Sequence, residues 1–274
     1  MIPIVEKTSF SVLLPVYRND TPLFFKAAVD SVLKNTLTPD KVLIVVDGAV
    51  DRELEFLIAD YSNIDIVHVL RLAHNVGLAR ALNSALELID SDFVLRADAD
   101  DINHPERFRI QIDALNRGLD LVGSSITEID EKGLVIGKRL VPSSENEISR
   151  FAKMRNPFNH MTVGFRMSIA RKIGGYPLIE FKEDYAFWAL FIKHGAKMAN
   201  IKESLVTARA GQSMYQRRGG LKYAISELKM QHHLWKCGVQ AIWSGILIGL
   251  LRSVVFLMPN RLRALFYKFF LRGE

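Results

Sequence analysis

The stretch FVLRADADD, Phe93–Asp101, decides how this chain is read. Phe93, Val94 and Leu95 look like the middle of a buried strand, and then Asp98, Asp100 and Asp101 arrive within four positions. Alternate residues of a strand face the same side, which predicts Asp98 and Asp100 pointing together at its carboxyl end, with Asp101 opening the loop. Two carboxylates so placed make a hard oxygen site suited to Mg²⁺ or Mn²⁺ carrying a phosphate-bearing substrate. The plainer alternative is a solvated acidic turn that caps the following helix.

Working outward, the same strand-then-helix alternation runs through the preceding residues. FSVLLPVY (10–17), KVLIVVDG (41–48) and IDIVHVLRL (64–72) read as strands. Helical stretches at 21–35, 51–61 and 77–89 separate them, the first with Thr21 as cap and Pro22 in its opening turn. HPERFRIQIDALNRG (104–118) follows the acidic stretch as a helix with Pro at its start and Gly at its end. This is the pattern of an α/β domain whose parallel sheet is covered on both faces. The carboxyl edge of such a sheet is where ligands bind. The rhythm then changes. Residues 119–140 predict two antiparallel strands, HMTVGFR (160–166) another strand, and EDYAFWALFIKHG (183–195) a helix closed by Gly195; AKMANI (196–201) and SLVTARA (204–210) predict two short strands.

A composition of 49% hydrophobic and 24% charged residues excludes a disordered chain. One cysteine, Cys237, excludes an intramolecular disulfide framework, and MIPIVEKTSF has no basic region followed by an apolar run, so no signal peptide is expected. The net charge of +6 is unevenly placed: ten Lys+Arg against two Asp+Glu from Ser213 onward leave residues 1–212 slightly acidic. The chain therefore divides into a domain at 1–212 and a basic helical segment at 213–274. In that segment Trp235, Trp243, Phe256, Phe266, Phe269 and Phe270 lie among the cations, and Arg252 interrupts an apolar run of near membrane-spanning length. An in-plane anchor on anionic lipid, or a helical pair packed back on the body, accommodates these charges better than a span; nucleic acid is not the expected partner.

Several other sites are excluded. A calcium loop counted from Asp98 would need Gly at Asn103 and Glu at Arg109. GLVIGKR imitates a P-loop but is one residue short and has Arg139 where Ser or Thr belongs. No G-x-G-x-x-G follows the first strand, and no H-E-x-x-H zinc motif is present.

The remaining candidates each carry two readings. Asp47 ends the second strand as a ligand-binding acid or a turn residue. Asn75 and Arg80 flank the Asn75–Gly77 turn, holding a base or phosphate or merely facing solvent. Glu183 and Asp184 start a helix, as functional acids or as charges favourable to its dipole. Trp188 stacks on a sugar or fills the core. His160 lies near an acceptor or is a satisfied structural histidine. Arg217 and Arg218 bind phosphate or mark a charged hinge.

The ordered set SVLLPVYRND, VLIVVDGAVD, RLAHNVGLARALNSAL, LRADADD, NPFNHMTVGFR, GGY, EDYAFWALF and ARAGQSMYQRRGG, covering residues 10 to about 220, resembles the family 2 glycosyltransferases with the GT-A fold. It is most similar to bacterial O-antigen and amylovoran-type β-1,3-glycosyltransferases. The resemblance implies a UDP-sugar site in which Pro15, Val16 and Tyr17 flank the uracil and Asp47 bonds it. Asn75, Arg80, Arg217 and Arg218 would hold the donor. Asp98 would contact ribose or sugar beside the metal, and Asp100 would bind Mn²⁺ or Mg²⁺. Asp184 would be the general base of an inverting reaction, with Glu183, Trp188 and His160 on the acceptor side. The implied donor is UDP-galactose or UDP-glucose. The implied acceptor is GlcNAc or GalNAc on undecaprenyl diphosphate, at the cytoplasmic face of the plasma membrane. Q-x-x-R-W, carried by processive synthases, is missing, so one sugar is expected per acceptor. A nucleotidyltransferase would want a glycine-rich loop in place of PVYRND, and an inactive scaffold would not need the acidic set.

Overall fold

Parity sorts the side chains of the first two strands, β1 (Phe10–Val16) and β2 (Lys41–Asp47). Val12, Leu14, Val42, Ile44 and Val46 join a core on one face, while Leu13, Leu43 and Val45 join a second core on the other. Strands covered on both sides have no polar face to show, so they read as near-continuous apolar runs. The computed structural model describes residues 8–210 and 219–259. The expected boundary at 212/213 falls outside them.

Helices α1 (Pro22–Leu33), α2 (Arg52–Tyr61) and α3 (Leu78–Leu86) connect β1, β2, β3 (Val67–Leu72) and β4 (Phe93–Arg96). β1 pairs in parallel with β2 on one edge and β4 on the other, while β3 lies beyond β2. The chain thus winds outward to β3 and returns past β1 to β4. The reversal opens a crevice between the carboxyl ends of β1 and β4.

The rest of the chain comprises β5 (Ile102–Asn103), α4 (Arg107–Asn116), β6 (Leu121–Ile129), β7 (Val135–Arg139), α5 (Glu145–Phe151), a 3-10 turn at His160–Thr162, β8 (Gly164–Arg166), α6 (Met167–Lys172), α7 (Glu183–Lys193) and β9 (Met198–Arg209). The sheet order is β3-β2-β1-β4-β8-β6-β9-β5, and β7 pairs with β6. β6 and β7 form the expected antiparallel pair.

Three local expectations change. His160–Thr162 is a 3-10 turn, and only Gly164–Arg166 of HMTVGFR pairs, antiparallel to β4 and β6. The two short strands at 196–210 are one strand, β9, whose pairing with β6 shifts register at Ser124–Ile126 and absorbs Lys202 and Glu203 in a bulge. α5 and α6 were not anticipated, although Ser144 and Glu147 form a capping box that marks the start of α5.

α8 (Leu221–Lys236) and α9 (Ile242–Leu257) complete the described chain. Met230, Leu234, Cys237 and Val239 share a core with Tyr185, Ala186 and Ala189 of α7, so α8 belongs to the body of the protein. Arg252 pairs at 3.0 Å with Glu227, a fully buried carboxylate that also meets Lys182 Nζ at 2.8 Å. A lone buried acid would be costly; two cations explain its retention and the arginine in the apolar run. Burial works against the ionised Glu227, but Lys182 and Arg252 outweigh it and hold the carboxyl below its ordinary value. No helix among the described residues is long and apolar enough to cross a membrane.

Candidate active site

The crevice between β1 and β4 is lined by acids. β4 stops at Arg96, so strand alternation is not what unites Asp98 and Asp100, contrary to expectation. A turn folds the acids inward instead. Asp98, Asp100 and Asp101 each offer an oxygen, all within 4.8 Å of one another. Asp101 is buried, and its Oδ1 accepts the Arg209 amide of β9 at 3.0 Å. Arg96, only 2% exposed, donates to the Leu13 and Ala97 carbonyls. It meets Asp98 Oδ1 at 2.8 Å as a charge contact without hydrogen-bond alignment. A second arginine buttresses the first: fully buried Arg107 donates to the Arg96 carbonyl at 2.6 Å and to Gln111 at 2.8 Å. Burial lowers the Arg107 guanidinium to about 9.

Crowding governs the electrostatics. Burial, with the neighbouring charge of Asp98, raises Asp100 to about 6. Burial and the charges of Asp100 and Asp98 raise Asp101 as well. Across the crevice Asp20 is lifted to about 7, mainly by burial; its bond from the Tyr17 amide at 2.8 Å works the other way, and Asp100 and Asp98 add to the rise. A divalent cation with oxygen ligands would relieve this crowding, so the donor set of Asp98, Asp100 and Asp101 fits one. Arg209 also faces Asp100, its guanidinium 4.0 Å over the Phe24 ring and its Nε buried without a partner.

At the β2 and β3 ends, Asp47 is buried and accepts the Val76 amide at 2.7 Å and the Gly77 amide at 3.0 Å, while Asn75 Nδ2 donates to the Asp47 carbonyl. Its carboxylate therefore braces the β3–α3 loop, and any bond to a base would be additional. Gly48 must be glycine: its φ is +83°, and a Cβ would lie 2.6 Å from the Asn75 nitrogen. Pro15 and Tyr17 are partly exposed and Arg80 is exposed. Val16 is 1% exposed in the core, so its side chain cannot flank a ligand.

The second acidic cluster starts α7. Asp184 Oδ2 accepts Asn156 Nδ2 at 2.6 Å, and Oδ1 accepts the Tyr185 amide at 2.7 Å. Desolvation raises Asp184 despite these two bonds. Desolvation and the adjacent Asp184 raise Glu183 to about 7. Two residues upstream, Phe181 has φ 65°, stacked at 4.0 Å on Tyr223 of α8. Such a conformation costs about 1–2 kcal/mol in a bulky residue, and the α8 contact holds it. The Arg96 charge favours the ionised forms of Asp100 and Glu183 alike.

Trp188 is 0% exposed and packs on Phe158 and Phe187, so it is core and not a stacking platform for sugar. His160 packs against Trp188 and its Nε2 lies 3.2 Å from the Tyr176 hydroxyl, as a structural histidine would. Burial holds its ring nitrogens well below the usual histidine value. Arg217 and Arg218 lie outside the described residues.

Sequence reading missed Asp20, Arg96 and Asn156. Asp20 sits in PVYRND with no spacing signal, and Arg96 lies inside the quoted FVLRADADD, where only the acids drew a reading. Asn156 stood in NPFNH, 28 positions from the aspartate it orients.

The family described as glycosyl transferase family 2 matches residues 11–174. The chain is 36% identical over 269 residues, 96% of each chain, to the Escherichia coli UDP-Gal:alpha-D-GlcNAc-diphosphoundecaprenol beta-1,3-galactosyltransferase. It is 34% identical over 261 residues to the amylovoran biosynthesis glycosyltransferase AmsE of Erwinia amylovora, covering 94% of this chain and 98% of AmsE. Among solved structures, S. aureus TarS 1-349 in complex with UDP-GlcNAc superposes with a TM-score of 0.66 at 18% identity, covering 97% of this chain and 77% of that one. At these low identities the likeness shows the fold, which is GT-A.

Proposed function

The chain belongs to glycosyl transferase family 2 and is a glycosyltransferase, and we propose that it transfers one hexose, galactose in preference to glucose, from its UDP-sugar to GlcNAc or GalNAc on a diphosphate-linked undecaprenyl carrier, forming a β-1,3 bond. The donor and acceptor follow the printed activity of the Escherichia coli relative. One observation carries the division of labour: of two desolvated acidic clusters, one crowds three carboxylates beside buried Arg96, and the other holds an aspartate oriented by an amide.

Asp98, Asp100 and Asp101 would hold Mn²⁺ or Mg²⁺, which when bound neutralises the diphosphate leaving group. Arg217, Arg218 and Arg80 would complete the donor site. Asp184, ionised and aimed by Asn156, takes the proton of the acceptor hydroxyl as its oxygen attacks the anomeric carbon. The sugar–phosphate bond breaks on the opposite side, its electron pair leaves with UDP, and configuration inverts without a covalent intermediate. Glu183, the neighbouring acid, lies on the acceptor side.

The acceptor would reach the protein at a membrane. The outward side of α9 is largely apolar, with Trp243 79% exposed beside Leu247, Leu250, Leu251 and Val254. An apolar helix face followed by a basic tail suits an in-plane contact with an anionic bilayer, at its cytoplasmic side. The test is incubation with UDP-galactose or UDP-glucose, Mn²⁺ and GlcNAc- or GalNAc-diphosphate lipids, with the product linkage read by NMR. A β-1,3-hexosyl product is expected; no transfer to any of these acceptors would overturn the reading.

A further inference from the structure

A groove of about 540 Å³ opens between the segment after β7 and α5, walled by Leu140, Val141, Pro142, Glu147, Arg150, Phe151 and Met154. That volume is within the roughly 300–1,000 Å³ of small-molecule sites. Its apolar walls are open to solvent, with Leu140 73% and Met154 56% exposed. The walls are also built. Asn200 Nδ2 donates to the Pro142 carbonyl at 2.7 Å and the Pro157 carbonyl at 3.0 Å, tying both sides together, and the Asn200 amide donates to the Ser143 carbonyl. The capping box at Ser144 fixes the start of α5.

The two ends of the groove connect to other parts of the molecule. Two residues beyond Met154, Asn156 holds Asp184. At the other wall, Arg139 closes β7 directly before Leu140, and its charge favours the ionised form of Asp184. Outward, Arg252 of α9 donates to the Met154 carbonyl, joining the groove to the helix with the exposed apolar face. The surroundings are cationic. From Lys138 to Arg155 the chain carries five Lys+Arg against Glu145 and Glu147. The Glu147 carboxylate is already engaged by the Ser143 and Ser144 amides. An apolar channel with a basic rim, running from a sugar-transfer base toward an apolar helix face, matches an amphiphile with a negative head and a hydrocarbon tail.

We infer that this groove binds the first part of the hydrocarbon chain of a lipid diphosphate acceptor, with Arg150 and its basic neighbours facing the diphosphate. The inference rests on the acceptor class proposed above and adds the subsite that recognises its lipid. It makes the chain next to the diphosphate, and not the membrane alone, part of substrate recognition.

The probe is a benzophenone-bearing farnesyl diphosphate, photo-crosslinked to the full chain and mapped by mass spectrometry, alongside transfer assays on acceptors with short and long lipid chains. Label is expected in peptides spanning 139–155, falling at least ten-fold in Leu140→Gln/Met154→Gln. Those exposed substitutions should also erase the preference for the longer chain while leaving kcat on the short-chain acceptor unchanged. Label confined to α9, or a chain-length preference surviving the double substitution, would overturn the subsite and leave the acceptor reading intact. Label in the groove without transfer to any diphosphate-linked sugar would do the reverse. A concentration-dependent dimer dissolved by Leu140→Gln would give the groove to a second copy of the chain and also overturn the subsite.

Discussion

The acids after β4 and the acids at the start of α7 are both desolvated, yet they face different partners. At Asp98–Asp101 the carboxylates face each other, and Asp100 rises to about 6 because of burial and Asp98. At Asp184 the carboxylate faces the amide groups of Asn156 and Tyr185, which favour the charged form against burial. The lesson is that desolvation alone does not assign a role. Acids crowded against one another suit a shared cation, while a single acid held by neutral donors suits a proton.

The largest effect that would sharpen this contrast is at the crowded cluster. Asp100→Ala should lower kcat by about 1,000-fold or more, with EDTA doing the same to the wild type and Mn²⁺ restoring it. Carboxyls held above their ordinary values cost stability while ionised. That cost is full above about 6 to 7 for Asp100 and Asp20, and it is relieved as pH falls toward the ordinary carboxylate range. Mn²⁺ should therefore raise Tm at pH 7.5 more than at pH 5, and not in Asp100→Ala. Full activity of that variant in EDTA would remove the contrast.

Asp184→Asn should follow, cutting kcat by roughly 1,000-fold while the Kd for UDP-sugar changes little, because the amide keeps the shape and cannot take a proton. Loss of donor binding instead would move Asp184 to the nucleotide side.

Asn156→Ala is a smaller and more diagnostic change. Removing a donor that favours the ionised base raises Asp184 further, so the acid limb of the pH–rate profile should shift to higher pH. A loss of about ten-fold below that limb, recovered on raising the pH, is expected; a loss uniform in pH would show that Asn156 only supports the fold. Smallest of all, Trp188→Phe should lower Tm with acceptor KM unchanged within about two-fold, since the indole is wholly in the core. A large rise in acceptor KM would return Trp188 to the site.

The C-terminal helices show where reading by composition stops. Apolar length, aromatics and Arg252 left an in-plane anchor, a span and a packed pair open. Arg252 is explained by partners far away in sequence, buried Glu227 and the Met154 carbonyl. α9 turns out to do two things, packing Gly245, Gly249, Ser253 and Phe256 inward and presenting apolar residues outward.

The parallel strands, their helices, the acid-rich end of β4 and the acidic start of α7 were all legible in the sequence, because periodicity, capping and burial act over neighbouring residues. Tertiary structure alone decided that a turn and not a strand gathers Asp98, Asp100 and Asp101, that Asp20 faces them, that Asn156 aims Asp184, and that Trp188 is core. Each of those depends on which distant residues share a dry space. Electrostatic and packing energies there are set by distance through the fold, and separation along the chain carries no record of it.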